Sequence, residues 1–265
     1  MVSHALLRGP EQKTGGYQIR VFRSRNLTGP YVDQNDNPAV SHEEIPDNWR
    51  GDTGVRMLAS VAWNGGYAGD DTEISQGHNS ALLREDGRIF MVYHTRFIGR
   101  DEDDYETRVR ELFTTSDGWL VAAPYEYQGS VGIAPHNANE TASIAGDYEV
   151  VLLRQDTYFD GTRKADGTFN GVNTPIHIRL ETDGSVTVLE NENASEPSVN
   201  VIHNSWKLQS NRDTNAICGN GSMSITLDGT TYTGVFAMLP RESDGKPVMT
   251  FSALGGNVCI WGSQQ

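Results

Sequence analysis

The chain has 265 residues, of which 21 are basic and 35 acidic, and its formal net charge is −14 at pH 7. This acidic balance disfavours a protein that binds nucleic acid by neutralising phosphates. No run approaches the roughly 18 apolar residues that a membrane helix needs, so we expect neither a nucleic-acid partner nor a membrane partner. Hydrophobic residues make up 37% of the chain and 28 positions are glycine, which indicates one large or two modest cores with many turns.

Apolar runs on either side of Asp-Gly dipeptides predict β-hairpins along much of the chain, since this dipeptide is a strong short-range hairpin signal. No amphipathic helix longer than two turns is predicted, so the fold class is all-β. The paired runs are 80–83 with 88–97, 108–114 with 119–122, 177–181 with 185–189, 222–227 with 230–236, and, around a Gly-Gly-Asn turn, 248–254 with 258–262.

Two features of the pattern bear on how these strands are arranged. The run 89–97 is almost wholly apolar or aromatic, which predicts a central strand buried on both faces. Between residues 128 and 139, Gly, Pro, Asn and Ala replace the aromatic strands. We therefore expect one unit over residues 1–127 and a second over residues 128–265.

Common catalytic motifs are missing from the sequence. It contains no Gly-x-Ser-x-Gly elbow, no phosphate-binding glycine-rich loop, no His-Glu-x-x-His and no Cys-x-x-Cys, which argues against serine hydrolase, nucleotide-binding and zinc-protease functions. The acidic run 101–104 lacks the spacing of a calcium loop and is predicted to be exposed. Cys218 and Cys259 allow either one disulfide or two buried thiols.

His78 is the remaining candidate for chemistry, because it lies between Gly77 and the start of a predicted buried strand. A histidine in this position can point into a pocket and bind a ligand. Spacing alone favours a turn or core histidine that is satisfied by a backbone carbonyl.

Two groups of segments carry a resemblance to a known family. The first group comprises residues 16–24, 28–33, 77–80, 93–97 and 117–125, and the second comprises 234–236, 248–254 and 260–263. The order of the first group closely resembles glycoside hydrolase family 43, and within it the endo-acting α-1,5-L-arabinanases. The second group is similar to the additional C-terminal β-domain of the longer arabinanases. The resemblance implies the C-terminal portion of a five-bladed β-propeller, followed by a small β-barrel or sandwich.

The resemblance also implies where the catalytic acids lie. An inverting glycosidase uses one carboxylate to activate water and a carboxylic acid to protonate the leaving oxygen. In this family those two acids and a third that tunes them lie in the first, third and fourth blades, whereas residues 1–127 match only the end of the fourth blade and the fifth. A blade takes roughly 40 to 50 residues, so we expect the catalytic carboxylates upstream of this chain. No Asp or Glu of the chain is assigned a catalytic role.

Several expectations about partners follow from this placement. The chain would be a truncated reading frame, a processed fragment or one chain of a split enzyme, with an upstream propeller half as a partner. Its substrate would be arabinan or an arabino-oligosaccharide. The family resemblance implies an extracellular protein, although no signal peptide is visible after Met1.

One site residue carries over from the family. His78 matches the histidine at the bottom of the active-site cavity that coordinates a central metal ion, usually read as calcium and otherwise surrounded by water. The resemblance therefore shifts the prediction for His78 to a metal ligand. The chain departs from the family at Tyr105 and Arg110, where histidine is common, and we expect this departure to affect the surface or strand pairing.

Alternatives remain open at this stage. The activity could be that of an arabinofuranosidase or xylosidase of the same family, or the chain could be a non-catalytic carbohydrate-binding or structural fragment. Some aromatic side chains could stack on sugars, but a core position is favoured for all of them. They are Trp63, Tyr67 and Trp119 in the first predicted unit and Trp206, Tyr232 and Trp261 in the second.

Overall fold

The computed structural model describes residues 2–7, 16–39, 53–63, 72–101, 104–129, 141–154, 162–165, 169–189, 204–208 and 221–265. Across these ranges the chain forms strands and one four-residue helix, which confirms the all-β class. The elements are β1 Val2–Leu7, β2 Gly16–Val21, β3 Val55–Leu58, β4 Glu73–Leu83, β5 Ile89–Phe97, β6 Glu106–Thr114, β7 Leu120–Ala122, α1 Thr141–Ile144, β8 Gly146–Leu153, β9 Ile176–Leu180, β10 Val186–Leu189, β11 Ser205–Leu208, β12 Ser222–Leu227, β13 Thr230–Pro240, β14 Pro247–Gly255 and β15 Val258–Gln264.

The strands β8 to β15 form a closed antiparallel barrel. Strand pairing runs from β10 through β9 and β8 to β15, and then through β14, β13 and β12 to β11. A bridge between Ser185 and Ser205 joins the two ends of this order, where the Trp206 amide donates to the Gly184 carbonyl over 2.8 Å. Every strand therefore pairs with its neighbours in the chain, as in an up-and-down barrel. Of the expected alternatives, barrel or sandwich, the structure shows the barrel.

Side chains fill the interior of the barrel. Trp206 packs edge-on against Phe236, and Phe236 packs edge-on against Phe251, with ring centroids 5.9 and 5.7 Å apart. An eight-stranded barrel is just wide enough for such a packed interior. The rest of this cluster includes Tyr148, Val150, Ile178, Leu180, Met223, Ile225, Tyr232, Met249 and Ile260.

The strands β4 to β7 form a separate four-stranded antiparallel sheet, in the order in which they occur in the chain. β5 lies between β4 and β6, and most of its side chains are buried, as its apolar sequence predicts. The turns that join β4 to β5 and β6 to β7 need glycine, because Gly87 and Gly118 adopt φ angles of 82° and 81°, where a Cβ is unfavourable. A four-stranded meander of this kind has the size of one propeller blade.

A second apolar cluster joins the barrel to the preceding strands. The outer faces of β8, β13 and β15 pack on side chains from β3, β5, β6 and β7, and β3 forms one parallel bridge to β15. The Tyr125 hydroxyl donates to Ser263 Oγ over 2.6 Å across this contact. This shared core contains side chains from both sides of residue 127. The division into two units at that residue therefore stays a prediction. The cluster includes Ile19, Met57, Met91, Phe113, Trp119, Val151, Val235, Cys259 and Trp261.

The buried carboxylate of Asp33 holds the loop before β3 against the barrel. Its oxygens accept hydrogen bonds from the backbone amides of Asn37 and Gly54, at 2.9 and 2.8 Å, and from Asn257 Nδ2 at 2.8 Å. Asn257 lies in the β14–β15 turn, and its Oδ1 accepts a bond from the Gln34 amide. The family-like segment 28–33 therefore docks the loop on the barrel. In the part of the chain described here, no helix has the length and apolarity needed to span a membrane.

Candidate functional site

The backbone around His78 departs from a regular strand. Between the partners Gly77–His94 and Ser80–Val92, β4 has one residue more than β5, and a similar shift precedes Gly77. These irregularities are β-bulges, which re-aim side chains. His78 adopts a φ of 46°, and this left-handed conformation costs a non-glycine residue about 1 kcal/mol. Together, the bulge and the left-handed backbone set the direction of the His78 side chain.

At the bulge His78 lies against a second histidine. The Nδ1 atoms of His78 and His94 lie 3.2 Å apart, and the ring centroids lie 4.9 Å apart. The His78 side chain is exposed, whereas His94 is half-buried on β5. Two facing ring nitrogens form a hydrogen bond only when one of them carries the proton. One ring therefore donates and the other accepts, and the tautomers decide which.

A tyrosine continues the same line of rings. Tyr105, just before β6, meets the His94 ring edge-on at a centroid distance of 5.1 Å and is 49% exposed. The Arg96 guanidinium carbon lies 5.6 Å from the Tyr105 ring centroid, and Arg96 also donates to Ser75 Oγ over 3.4 Å. We call His78, His94 and Tyr105 the ring row. It presents imidazole and phenol groups at one end of the four-stranded sheet.

The ring row offers a cation the exposed imidazole of His78, so a hydrated ion would take its remaining ligands from water. Calcium prefers six to eight oxygen ligands, and the described residues contain no cluster of three His, Cys, Asp or Glu placed to hold a metal. His78 is exposed, so a hydrated ion has room beside it. Since its Nδ1 faces His94, such an ion would be bound through Nε2. The prediction of His78 as a metal ligand stays a prediction.

A buried charged network lies behind the ring row. Arg110 Nη2 donates to Glu73 Oε2 over 2.8 Å, and the Tyr93 hydroxyl donates to Glu73 Oε1 over 2.6 Å. Arg110 also donates to the Ala123 and Pro124 carbonyls, at 3.1 and 2.5 Å. Burial raises the pKa of Tyr93 well above its ordinary value. Because Glu73 is enclosed by these partners, it is a structural carboxylate.

Arg110 lies on the paired strand β6, so of the two expected effects, on the surface or on strand pairing, the surface is excluded. Its side chain is only 1% exposed, so the departure from the family at this position alters the core rather than the surface. Glu242, in the turn after β13, lies 3.9 Å from Arg110 Nη2 and accepts a hydrogen bond from the Glu126 amide. Burial raises the pKa of Glu242. The network therefore connects the four-stranded sheet to the barrel.

The aromatic side chains considered for sugar stacking are in the core wherever the structure describes them. Trp63 and Trp119 are 6% and 2% exposed, and the Arg23 guanidinium covers the Trp119 ring at 4.1 Å. In the barrel half, Trp206, Tyr232 and Trp261 are buried as well. Tyr67 lies outside the described residues.

The structure also describes two residues of the acidic run and one of the two cysteines. Asp101 and Asp104 are exposed, as predicted, and the two residues between them lie outside the described ranges. Cys259 is a buried free thiol whose pKa is raised by burial, and Cys218 lies outside the described residues. Of the two cysteines, Cys259 is therefore a core side chain.

Sequence reasoning did not select His94 or Tyr105 as site residues. A signal for His94 was present in the hairpin register. Leu83 pairs with Ile89, and an antiparallel register that continued from this pair without a bulge would set His78 opposite His94. The bulge between Gly77 and Ser80 then shifts the backbone partner of His94 to Gly77, while the two rings stay in contact. Tyr105 follows the acidic loop, and no local pattern marks where that loop returns to the sheet.

Comparison with known protein families decides the classification. Residues 124–262, just over half of the chain, match the C-terminal lipocalin-like domain of glycoside hydrolase family 43. The chain belongs to glycoside hydrolase family 43. The match includes all eight strands of the barrel except the last two residues of β15, which agrees with the resemblance seen in the sequence.

Curated relatives extend this family match to nearly the whole chain. The chain is 30% identical over 258 residues to the extracellular endo-α-(1→5)-L-arabinanase 2 of Bacillus subtilis, covering 95% of this chain and 47% of that protein. It is 29% identical over 257 residues to the extracellular endo-α-(1→5)-L-arabinanase of Thermotoga petrophila, covering 94% and 46%. The chain thus spans about half the length of these relatives.

Solved structures give the same result. A glycoside hydrolase family 43 protein from Bacillus licheniformis superposes with a TM-score of 0.71 at 28% identity, covering 99% of this chain and 52% of that one. The endo-1,5-α-L-arabinanase of Thermotoga petrophila, in complex with Tris, superposes with a TM-score of 0.72 at 26% identity, covering 100% and 52%. The fold described above is therefore that of the matching half of these proteins.

Proposed function

We propose that this chain forms part of an inverting endo-arabinanase that cleaves α-1,5-linked L-arabinan. The observation that carries the proposal is the similarity to two endo-arabinanases along 95% and 94% of the chain, which includes the segments that build the ring row. In this proposal the sheet β4–β7 is a propeller blade. The catalytic carboxylates belong to a part of the enzyme outside this sequence.

The ring row supplies the contribution of this chain to the active site. His78 would hold a hydrated calcium ion through Nε2, and the ion would supply positive charge that lowers the pKa of neighbouring acids and orders water. Tyr105 packs against His94 in the same row, and its phenol group can bond to sugar hydroxyl groups. The barrel has a filled interior, so its role is to support the sheet through the shared core and the Arg110 network.

A second candidate function is carbohydrate binding without hydrolysis. It is favoured by the hydrogen bonding of Glu73, the buried carboxylate on the same strand as His78. Arg110 and Tyr93 occupy both of its oxygens, so it is not placed to activate water or to protonate a leaving group. In this case the chain would bind arabino-oligosaccharides through the ring row and release no product.

Secretion is part of the proposal, because both curated relatives are named extracellular enzymes. A neutral arabinan has no charge to repel the acidic chain. The net charge of −14 is therefore compatible with this substrate.

A substrate panel tests the proposed activity. This chain would be fused behind the N-terminal half of the Bacillus subtilis relative, and reducing ends would be measured with linear α-1,5-arabinan, xylan and aryl arabinofuranoside. Internal cleavage of arabinan alone supports the endo-arabinanase. Preferential hydrolysis of the aryl glycoside or of xylan would indicate an arabinofuranosidase or xylosidase instead. Binding of arabino-oligosaccharide with no hydrolysis of any substrate would favour the second candidate.

A further inference from the structure

Two exposed leucines lie together at one corner of the sheet β4–β7. Leu82 and Leu83 are 56% and 63% exposed, and Ser80 and Ala81 before them are exposed as well. Within the described residues β4 is an edge strand, because this stretch pairs only with β5. We call residues 80–83 the leucine corner. Proteins usually protect an edge strand with charges, prolines or a covering element, and the leucine corner has no charge or proline of its own.

The apolar core of the sheet continues into this corner. Residues directly opposite each other on antiparallel strands lie on the same face, and one such row runs from Leu112 through Ile89 to Leu83. Leu112 is fully buried, Ile89 is half-buried and Leu83 is exposed. On the opposite face, exposed Leu82 pairs with buried Phe90. Both faces of the sheet therefore lose their cover at the leucine corner.

Three kinds of occupant differ in how well they fit this corner. Leucine side chains offer no hydrogen-bonding group to a sugar, so arabinan fits poorly. A second copy of the chain would bring another formal charge of −14, and this repulsion opposes association. The third occupant is the part of the enzyme that carries the catalytic carboxylates. In the proposed function it borders His78, which lies on the same strand four residues before Leu82, within about 13 Å along an extended strand.

We infer that the leucine corner is a docking surface for the catalytic part of the enzyme, which covers Leu82 and Leu83 with apolar side chains. The inference rests on the proposed function, in which the catalytic carboxylates lie outside this sequence. More than half of each curated relative lies outside the match, so these relatives contain a part of sufficient size. Apolar surface of this kind is typical of a protein–protein contact.

Cysteine labelling resolved by peptide mass spectrometry tests the inference directly. Leu82→Cys and Leu83→Cys would be labelled with iodoacetamide in the 265-residue chain alone, and in the same chain fused behind the N-terminal half of the Bacillus subtilis relative. Because buried thiols are inert, we expect labelling at both positions to be at least about 10-fold slower in the fusion. Leu27→Cys is the matched control and should be labelled equally in both proteins. Leu27 is 96% exposed, and Arg23 holds its loop at the β6–β7 turn, on the side of the sheet opposite β4.

Analytical ultracentrifugation of the chain mixed with the separately expressed N-terminal half gives the second readout. Leu82→Asp and Leu83→Asp should each weaken association about 10- to 100-fold, whereas Leu27→Asp should not. If an aspartate variant does not fold, the labelling still decides.

Several outcomes would overturn the inference. They are equal labelling of the leucine corner in the chain and the fusion, equal association of all variants, and labelling of the chain alone that slows as its concentration rises, which would identify a second copy as the occupant. Protection of the corner in a fusion that hydrolyses no arabinan would refute the proposed function and leave the docking surface standing. Hydrolysis without protection would refute the docking surface and leave the proposed function standing.

Discussion

The substitution Arg110→Met should strongly destabilise the fold. Arg110 and Glu73 have side chains that are 1% and 4% exposed, so the substitution leaves a buried carboxylate without its positive partner. Breaking a buried pair in this way costs about 3–5 kcal/mol. The Ala123 and Pro124 carbonyls also lose their donor, and a buried acceptor left unsatisfied costs about 1–3 kcal/mol. We therefore expect a loss of at least about 3 kcal/mol.

Urea unfolding followed by tryptophan fluorescence measures this loss. Arg179→Met is the matched control, because Arg179 pairs with Asp147 at the surface, with side chains 48% and 43% exposed, and its removal should leave the midpoint unchanged. Combining Arg110→Met with Glu73→Gln should recover part of the loss, since the uncompensated charge is then absent. Equal midpoints for Arg110→Met and Arg179→Met would refute the reasoning.

Three further substitutions test the barrel and its connections. In Gly262→Ala the new Cβ would clash with the Phe251 ring, so we expect the unfolding free energy to fall by about 1–3 kcal/mol in urea unfolding. An unchanged midpoint would contradict the packing described. Burial raises the pKa of Glu242, so the folded protein holds this proton more tightly than the unfolded chain. The resulting stabilisation is present at low pH and disappears as the pH rises through the folded-state pKa. Glu242→Gln should reduce the decline in unfolding free energy above about pH 4.3, and an identical decline would count against this pKa shift. Burial opposes ionisation of Asp33, but its hydrogen bonds, first that from Gly54, outweigh burial and lower its pKa. Stability should therefore fall below about pH 3.9, and this loss should be smaller in Asp33→Asn when both are followed by acid titration.

The hairpins were predictable because their signals are local. An Asp-Gly pair sets the turn and the strands on either side follow from it, as in β4–β5, where Leu83 pairs with Ile89. Closure of the barrel was not predictable in the same way. It depends on pairing of β8 with β15, more than 100 residues later in the chain, and nothing local to either strand specifies that partner.

The candidate site was predictable only in part, for a related reason. His78 was selected through the family resemblance, but its partner His94 and the neighbouring Tyr105 required the strand register and the course of a loop. For Arg110 the sequence left the surface and strand pairing open, and it did not indicate that the side chain on the paired strand β6 is buried. Its burial depends on Glu73, which is distant in sequence and is brought near by the sheet.

The most direct test of the proposed function is the release of reducing ends from linear α-1,5-arabinan. The 265-residue chain would be assayed alone, then mixed with a separately expressed N-terminal half of the Bacillus subtilis relative, with His78→Ala as the control variant. We predict no turnover by either half alone, turnover on mixing, and a reduced rate for the His78→Ala mixture. Turnover by this chain alone would contradict the placement of the catalytic carboxylates outside it.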